Sequence, residues 1–523
     1  MPTIHIDNQA VEVPEGATIL QAARKLGIDV PALCYREGCE ANTSCMACVV
    51  KVDGVNGLVP SCATRAVDAM RVESETDEVR RHRRTALELL LSEHLGDCIA
   101  PCHNLCPATM NIPRMIRQIA AGRLRQAVET VKADIALPAA LGRICPAPCE
   151  KGCRRRQHDA AVAICLLKRY VADVDLASGE PYLPPRAEAS GKGVGIVGAG
   201  PTGLAAAYHL LQRGHACTVF DDHPAPGGML RYGVEPQRLP HDVLDAEIDV
   251  IRQLGAEFRC GRGVGAELPA AAVRDEFDAV LVAAGKVDTQ ASAAALGLEW
   301  DGKAPRADRR TYRTPSEGVF AACWPRQRKM AVSAVAAGKA AAAVIDQFLA
   351  GREIAAPARP YSVRIGKLQE GEIDRFLAGA GDRGRVEPAS GKAGFDKDEA
   401  VAEALRCLHC DCRRPDDCKL RRYAEAYGAE PSKYPTRRRT FQQLRQHADV
   451  IFEPGKCIHC GLCIQIAQRA GERLGLTFVG RGFNAHVAVP FGASLAEGLE
   501  KAAAEVVAAC PTGALAFRDD DRT

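Results

Sequence analysis

The chain carries no excess charge of either sign, no unbroken apolar run and no hydrolytic residue pattern, and each absence removes a class of function. Among 523 residues, 68 Lys and Arg stand against 65 Asp and Glu, a formal net charge of +3. That balance argues against nucleic acid as an obligate partner. The basic runs at 80–84 and 437–439 read as solvated faces or docking patches. The opening stretch MPTIHIDNQAVEV has no basic segment leading into an apolar one, so no signal peptide is expected. The alanine-rich stretch from Ala331 to Ala350 is broken by Lys339 and Asp346, which speaks against a membrane span. No Ser/His/Asp set or pair of carboxylates asks for acid–base work, and no nickel-site pattern is visible. The 47% hydrophobic and 25% charged content is ordinary for a soluble globular protein, and the length predicts three or more domains.

What the chain has is cysteine, 23 in all. Nineteen fall into tight groups: Cys34, Cys45, Cys48 and Cys62; Cys98, Cys102 and Cys106; Cys145, Cys149, Cys153 and Cys165; Cys407, Cys410, Cys412 and Cys418; and Cys457, Cys460 and Cys463 with Cys510. Thiolates two or three residues apart converge on one soft metal centre, because short loops let the sulfurs point inward together. Structural zinc or disulfides would explain one or two groups, but not all of them beside a flavin-type fingerprint. So many thiols belong in a reducing compartment with metal as their fate, which predicts a cytoplasmic protein that conducts single electrons.

At the N-terminus, residues 3–6 and 11–13 alternate like a hairpin, and Ile19 to Leu26 has helical spacing after a cap-like Thr18. Cys34-x10-Cys45-x2-Cys48-x13-Cys62 follows. This segment resembles the [2Fe–2S] ferredoxin-like domain of the complex I large iron–sulfur subunit and of related hydrogenase and formate dehydrogenase subunits. The resemblance implies a β-grasp over residues 1–75 whose ligand loop offers backbone N–H groups to sulfur. Cys39 is left outside the set.

Residues 76–188 contain GDCIAPCHNLCPATM and later GRICPAPCEKGCRRRQHDAAVAICLLKR. The two halves resemble the helical domain of the glutamate synthase small subunit and of dihydropyrimidine dehydrogenase, which implies two [4Fe–4S] clusters sharing ligands across the halves. Carried over, Cys102 and Cys153 join one cluster, and Cys106, Cys145 and Cys149 the other. The usual upstream C-x-x-C is replaced by His94-x3-Cys98, a spacing similar to the His-ligated cluster of the complex I subunit. His94 and Cys98 are therefore expected to complete the first cluster. Lys168 occupies the place of a family glutamine ligand, and Cys165, one helical turn earlier, is expected as the fourth ligand of the second.

In residues 189–355, a strand runs into Gly198-x-Gly200-Pro201-x-Gly203, a helix follows, and a second strand ends at Asp221. Such glycines permit close approach of backbone to a pyrophosphate at a helix N-terminus, and the acid meets a ribose hydroxyl. With APGGMLRYGVEPQRLP, which contains Gly228, Met229 and Arg231, this resembles the FAD-binding part of the glutamate synthase small subunit. That family inserts a second Rossmann unit for NAD(P)H; here FDAVLVAAGKV is followed within about thirty residues by a segment like the closing FAD stretch, and no second glycine fingerprint occurs. Cys323-Trp324 stands where the family has an acid near the flavin.

Residues 356–440 form a linker with Cys407-x2-Cys410-x-Cys412-x5-Cys418, enough for one [4Fe–4S] cluster, with a zinc knuckle as the alternative. Residues 441–523 resemble a ferredoxin-like domain with one [4Fe–4S] cluster on Cys457, Cys460, Cys463 and Cys510. The predicted fold is multidomain α+β and α/β: a β-grasp ferredoxin domain, a helical double-cluster domain, a Rossmann-like FAD domain without the NAD(P)H insert, and a C-terminal ferredoxin-like domain. The expected cofactors are one [2Fe–2S] cluster, four [4Fe–4S] clusters and FAD. The expected role is an electron-transfer subunit between a flavin-containing, NADH-oxidising subunit and a catalytic subunit such as formate dehydrogenase or hydrogenase. A self-sufficient NAD(P)H-dependent flavoenzyme and a structural or assembly subunit are the alternatives.

Overall fold

The computed structural model of the chain describes residues 1–518 apart from 286, 288, 323–329 and 435–437. Trp324, Cys323 and Arg437, singled out above, lie outside the described residues. The chain makes two compact units: one from Met1–Ala100, Pro360–Gly379 and the chain from His409 onward, the other from Pro101–Arg359 and Ala380–Leu408. In sequence, the second unit interrupts the first twice.

The first unit starts with the strand Thr3–Ile6, whose Ile4 and Ile6 are buried while Thr3 and His5 are not. Asp7 and Asn8 both take positive φ, the two-residue turn that suits a twisted hairpin, and lead into Gln9–Glu12. Thr18 opens the helix Ile19–Lys25 with a capping box, Gln21 N donating to the Thr18 hydroxyl and Thr18 N donating to the Gln21 side chain at 2.8 Å. The sheet runs Gln9–Glu12, Thr3–Ile6, Arg71–Glu73, Val49–Val52, Leu58–Pro60, with Thr3–Ile6 and Arg71–Glu73 parallel and the other pairs antiparallel. A mixed sheet carrying one helix in this order is a β-grasp.

The helix Asp77–Ser92 is capped by Thr76 and has Asp77 and Glu78 in its first turn, where the helix dipole favours acids. Its buried stripe includes Val79, Arg83, Leu87 and Leu91. Arg83 therefore corrects the reading of residues 80–84 as a solvated face. It is fully buried, donates to Val49 O at 3.1 and 2.9 Å and to the Tyr427 hydroxyl at 2.7 Å, and pairs with Glu75 at 2.9 Å. The helical period, not the charge run, decides which arginine turns inward. Arg438 behaves similarly, pairing through both terminal nitrogens with the fully buried Glu372 at 2.7 Å.

The C-terminal part of this unit pairs Val450–Phe452 with Leu515–Phe517 and Thr477–Val479 with His486–Ala488, both antiparallel. The helices Leu462–Arg469 and Ala503–Ala509 cover a core that includes Val450, Ile466, Val506 and Leu515.

The second unit joins a helical half to a parallel sheet through one continuous core. Ile112–Ala120, Leu124–Lys132, Pro138–Ile144 and Ile164–Ala177 form the first half. The sheet runs Val319–Ala321, Ala279–Val282, Gly193–Val197, Ala216–Asp221, Ala256–Cys260, all parallel. It is the one parallel five-stranded sheet among the described residues. The apolar helix Ala331–Leu349 is long enough to cross a membrane, but it packs on Pro201–Gln212: a Cβ on Gly338 would lie 2.2 Å from Thr202 O. Its charges are also bound within the unit, Lys339 to Asp134 and Asp346 to His215 at 3.1 Å.

Glu372 allows a test of this architecture. Burial opposes its ionisation, but Arg438 and the amides of Phe441 and Gln369 outweigh it and hold the carboxyl at about 2. An acid depressed in the fold stabilises above its ordinary value of 4.5 and loses that contribution as pH falls towards 2. Glu372→Ala should cost about 2–3 kcal/mol near neutral pH. Unfolding measured across the acid range should show the gap to the parent narrowing below about pH 4; a constant gap would exclude the linkage.

Candidate metal centres and dinucleotide loop

In the first unit, the chain from Cys34 to Cys48 curls through left-handed turns at Thr43 and Met46, each with φ 50°. The curl brings Cys34 Sγ to 3.4 Å from Cys45 Sγ and places the Cys62 thiol within hydrogen-bond reach of Cys34 and Cys48. All four sulfurs are buried. The Cys45 amide points at Cys34, the Ala47 amide at Cys45 and the Cys62 amide at Cys48, so backbone dipoles face sulfur throughout. Donation from Cys45 and Cys62 lowers the Cys34 thiol, donation from Cys62 takes Cys48 down to about 7, and Cys45 and Cys62 are pushed up in return. Cys39 stands half-buried outside this knot, its amide bonded to Arg36 O.

Cys457, Cys460, Cys463 and Cys510 line one cavity, closed by apolar residues that include Phe452, Val487 and Leu515. Positive φ at His459 and Gly461 turns the loop so that the His459 amide reaches Cys457 Sγ at 3.4 Å, and the Leu462 and Ile464 amides face Cys460 and Cys463. Burial pushes all three loop thiols up, Cys457 to about 12. Donors and sulfurs of this kind fit an iron–sulfur cluster.

Cys98, Cys412 and Cys418 also belong to the first unit. The Cys412 amide donates to Cys98 O at 3.4 Å, and the Val363 amide reaches Cys98 Sγ at 3.4 Å. Beside them Lys456 is 2% exposed. Burial opposes its charge, but the Cys412 thiol, the paired Glu453 carboxylate and the Cys98 thiol raise it above the ordinary lysine value. His94 keeps some surface, yet its Nδ1 is shut off from solvent and has no hydrogen-bond partner. Burial and the neighbouring Lys456 cation hold the imidazole down at about 3. The sequence grouped His94 and Cys98 with Cys102 and Cys153, and Cys412 and Cys418 with Cys407 and Cys410. Of these residues, Cys102, Cys153 and Cys407 lie in the second unit, and His94, Cys98, Cys410, Cys412 and Cys418 in the first.

In the second unit, Cys106, Cys145, Cys149 and Cys165 line one cavity with Lys168. Contact with Cys145 lowers the Cys165 thiol, but contact with Cys149 and burial outweigh it and leave it at about 11. Cys165 thus touches Cys145 and Cys149, two of the residues with which it was expected to share a cluster. Burial opposes the charge on Lys168, and the thiols of Cys165, Cys145, Cys106 and Cys149 restore it. Lys168 stands out in the sequence at a family ligand position, whereas Lys456 does not. Lys456 carries no spacing signal, since a counter-charge needs proximity alone.

The glycine loop closes tightly. A Cβ on Gly203 would lie 1.9 Å from Gly198 O, one on Gly198 would strike Ala283 O at 2.6 Å, and one on Gly228 would meet Gly200 Cα at 2.7 Å. Pro201 opens the helix Pro201–Gln212, which starts at the loop. Asp221 Oδ2 accepts from the Ala199 amide at 2.6 Å and Oδ1 from the His223 amide at 3.0 Å, so the acid braces the loop. Met229 is exposed, whereas the Arg231 guanidinium is bound to Asp245 and Pro226 O.

Residues 1–77 match the 2Fe-2S iron-sulfur cluster binding domain, residues 92–180 the dihydropyrimidine dehydrogenase domain II with its 4Fe-4S cluster, and residues 196–250 the NAD(P)-binding Rossmann-like domain. The chain joins two kinds of iron–sulfur domain to a Rossmann-like one. Among curated relatives it is 38% identical over 207 residues to the NADP(+)-dependent formate dehydrogenase subunit beta of Moorella thermoacetica, covering 36% of this chain and 29% of that one. It is 36% identical over 189 residues to the NADPH-Fe(3+) oxidoreductase subunit beta of Geobacter sulfurreducens, covering 36% and 28%. It is 39% identical over 192 residues to the glutamate synthase [NADPH] small chain of Mycobacterium tuberculosis, covering 36% and 39%. The chain spans less than half the length of each of these relatives.

The turn between Cys145 and Cys149 offers a clean probe. Ala147 takes φ 50° and ψ 55°, a left-handed conformation that costs an alanine about 1–2 kcal/mol. Ala147→Gly should relieve that strain and, after glycine's greater chain entropy, stabilise by up to about 1 kcal/mol. Denaturant unfolding of the second unit measures it; destabilisation would show that the methyl group is needed.

Proposed function

We propose that the chain is the electron-transfer iron–sulfur flavoprotein subunit of a multisubunit oxidoreductase. It would relay electrons between an NAD(P)H-handling partner and a low-potential catalytic partner of formate dehydrogenase or hydrogenase type. The observation that carries this reading is a single apolar core in the first unit that touches three separate thiol groups: Cys34 and Cys45, Cys98 and Cys418, and Cys460. Leu33, Ala47 and Leu462 belong to the same core, and Cys34 lies close enough to bear on the Cys460 thiol. Adjacent centres in a dry, low-dielectric setting are what electron transfer needs, whereas a zinc site has no use for a neighbour.

On this reading Cys34, Cys45, Cys48 and Cys62 hold a [2Fe–2S] cluster, and Cys106, Cys145, Cys149 and Cys165 hold a [4Fe–4S] cluster. Cys457, Cys460, Cys463 and Cys510 hold another, and Cys102, Cys153, Cys407 and Cys410 are ligands as well. The proposed domains are 1–75, 76–188, 189–355, 356–440 and 441–523. The glycine loop would take FAD: Gly198, Gly200 and Gly203 leave room for its pyrophosphate, and a carboxylate at Asp221 suits a free ribose diol better than a 2′-phosphate. The relatives named above, each a subunit or chain acting with NADPH or NADP, support a partner that handles the nicotinamide.

Anaerobic purification with iron, sulfide and flavin measured per chain tests the reading. Cys165→Ser should remove the iron of one [4Fe–4S] cluster and leave the [2Fe–2S] signal untouched. Gly203→Val should release flavin and leave the iron in place. Iron for a single cluster only, or rapid NADPH oxidation by the isolated chain with an artificial dye, would overturn the relay.

A further inference from the structure

We propose that His94, Cys98, Cys412 and Cys418 are the four ligands of one [4Fe–4S] cluster inside the first unit, with His94 bonding iron through Nδ1. The inference rests on the reading that the chain carries such clusters, and it replaces two of the ligand groups that the sequence suggested.

The geometry joins residues more than 300 positions apart in sequence. The Cys412 amide bonds Cys98 O, and Cys98 and Cys418 share the buried core that holds Leu87, Leu91 and Val363. Gly513 has no side chain where a Cβ would lie 2.3 Å from Cys412 Sγ. The Cys418 thiol faces Pro511 O at 3.9 Å. On the other side, the segment that carries His94 and Cys98 is clamped along its length. The Leu95 amide donates to Gly455 O at 2.7 Å, Gly96 lacks a side chain where a Cβ would lie 2.5 Å from Lys456 Cε, and Asp97 accepts from the Ile365 amide at 3.0 Å. His94 and Cys98 thus stand at the two ends of a pinned segment, and Lys456 is neighbour to His94, Cys98 and Cys412 alike. A desolvated ring nitrogen without a partner is costly, and an iron ion would supply the missing partner of His94 Nδ1. Cys510 lines a different cavity, together with Cys457, Cys460 and Cys463.

Ligation proceeds by exchange onto a preformed [4Fe–4S] cluster. Each of the three thiols forms a sulfur–iron bond and gives its proton to the ligand it displaces; the neutral imidazole displaces the fourth, and no electron moves. Three thiolates and an imidazole leave the site less negative than four thiolates would, and histidine in place of cysteine raises a cluster's potential.

The test uses the full chain, purified anaerobically with clusters loaded and grown with and without 15N-histidine. Pulsed EPR of the reduced protein should show nitrogen coupling on one [4Fe–4S] signal. His94→Cys should keep the iron, lose the coupling and lower that cluster's midpoint potential. Cys98→Ser, Cys412→Ser and Cys418→Ser should each remove this same signal, while Cys410→Ser leaves it. Loss of the signal in Cys410→Ser, its survival in Cys412→Ser, or loaded clusters without nitrogen coupling would overturn the assignment while the relay reading stands. A chain that takes up no iron would end both.

Discussion

Burying many sulfurs that must carry charge sets the terms for the rest of this structure. A thiolate removed from water is costly unless donors or cations stand close to it. The chain meets that demand in two ways. Loops turned by left-handed residues such as Thr43, Met46, Ala147 and His459 aim amides at sulfur. Buried lysines supply positive charge: Lys168 among four thiols, and Lys456 between Cys412, Cys98 and Glu453. A buried ammonium facing thiols suits sulfurs that are anionic when the protein is loaded.

The same demand explains the tight backbone around the sites. Gly96 and Gly513 let main chain lie against Lys456 Cε and Cys412 Sγ, where a side chain would collide. The Rossmann-like glycine loop uses its glycines in a different way. Gly198 and Gly203 bring strand and helix together, and Asp221 holds the loop in that shape through the Ala199 amide.

The contrast decides what the sequence could reveal. Sets made within one loop, such as Cys457, Cys460 and Cys463, were legible because spacing and geometry coincide there. The glycine fingerprint was legible for the same reason, and so was the capped helix after Thr18. The nearness of Cys98 to Cys412 left no mark in the sequence, because Cys412 comes after the interruption. Arg83 was misread because a charge run says nothing of which residue faces the core; only its alignment with Val79 and Leu87 does. Proximity across an insertion leaves no local trace.

That topology bears on how electrons would pass. The apolar core of the first unit meets the Cys34 group, the Cys98 group and Cys460, so no centre there is reached only through water. If the centres were electrostatically alike, an electron would have no preferred resting place among them. Different ligation breaks that symmetry. On the proposed assignment the His94 site is less negative than a site with four thiolates, and Lys456 beside it favours the added electron further. An electron entering this unit from a lower-potential centre would settle there, and would leave only towards an acceptor of higher potential. The two arms that build the site flank the inserted unit in sequence, so the cluster that holds the electron would also be the bond that closes the first unit around its interruption.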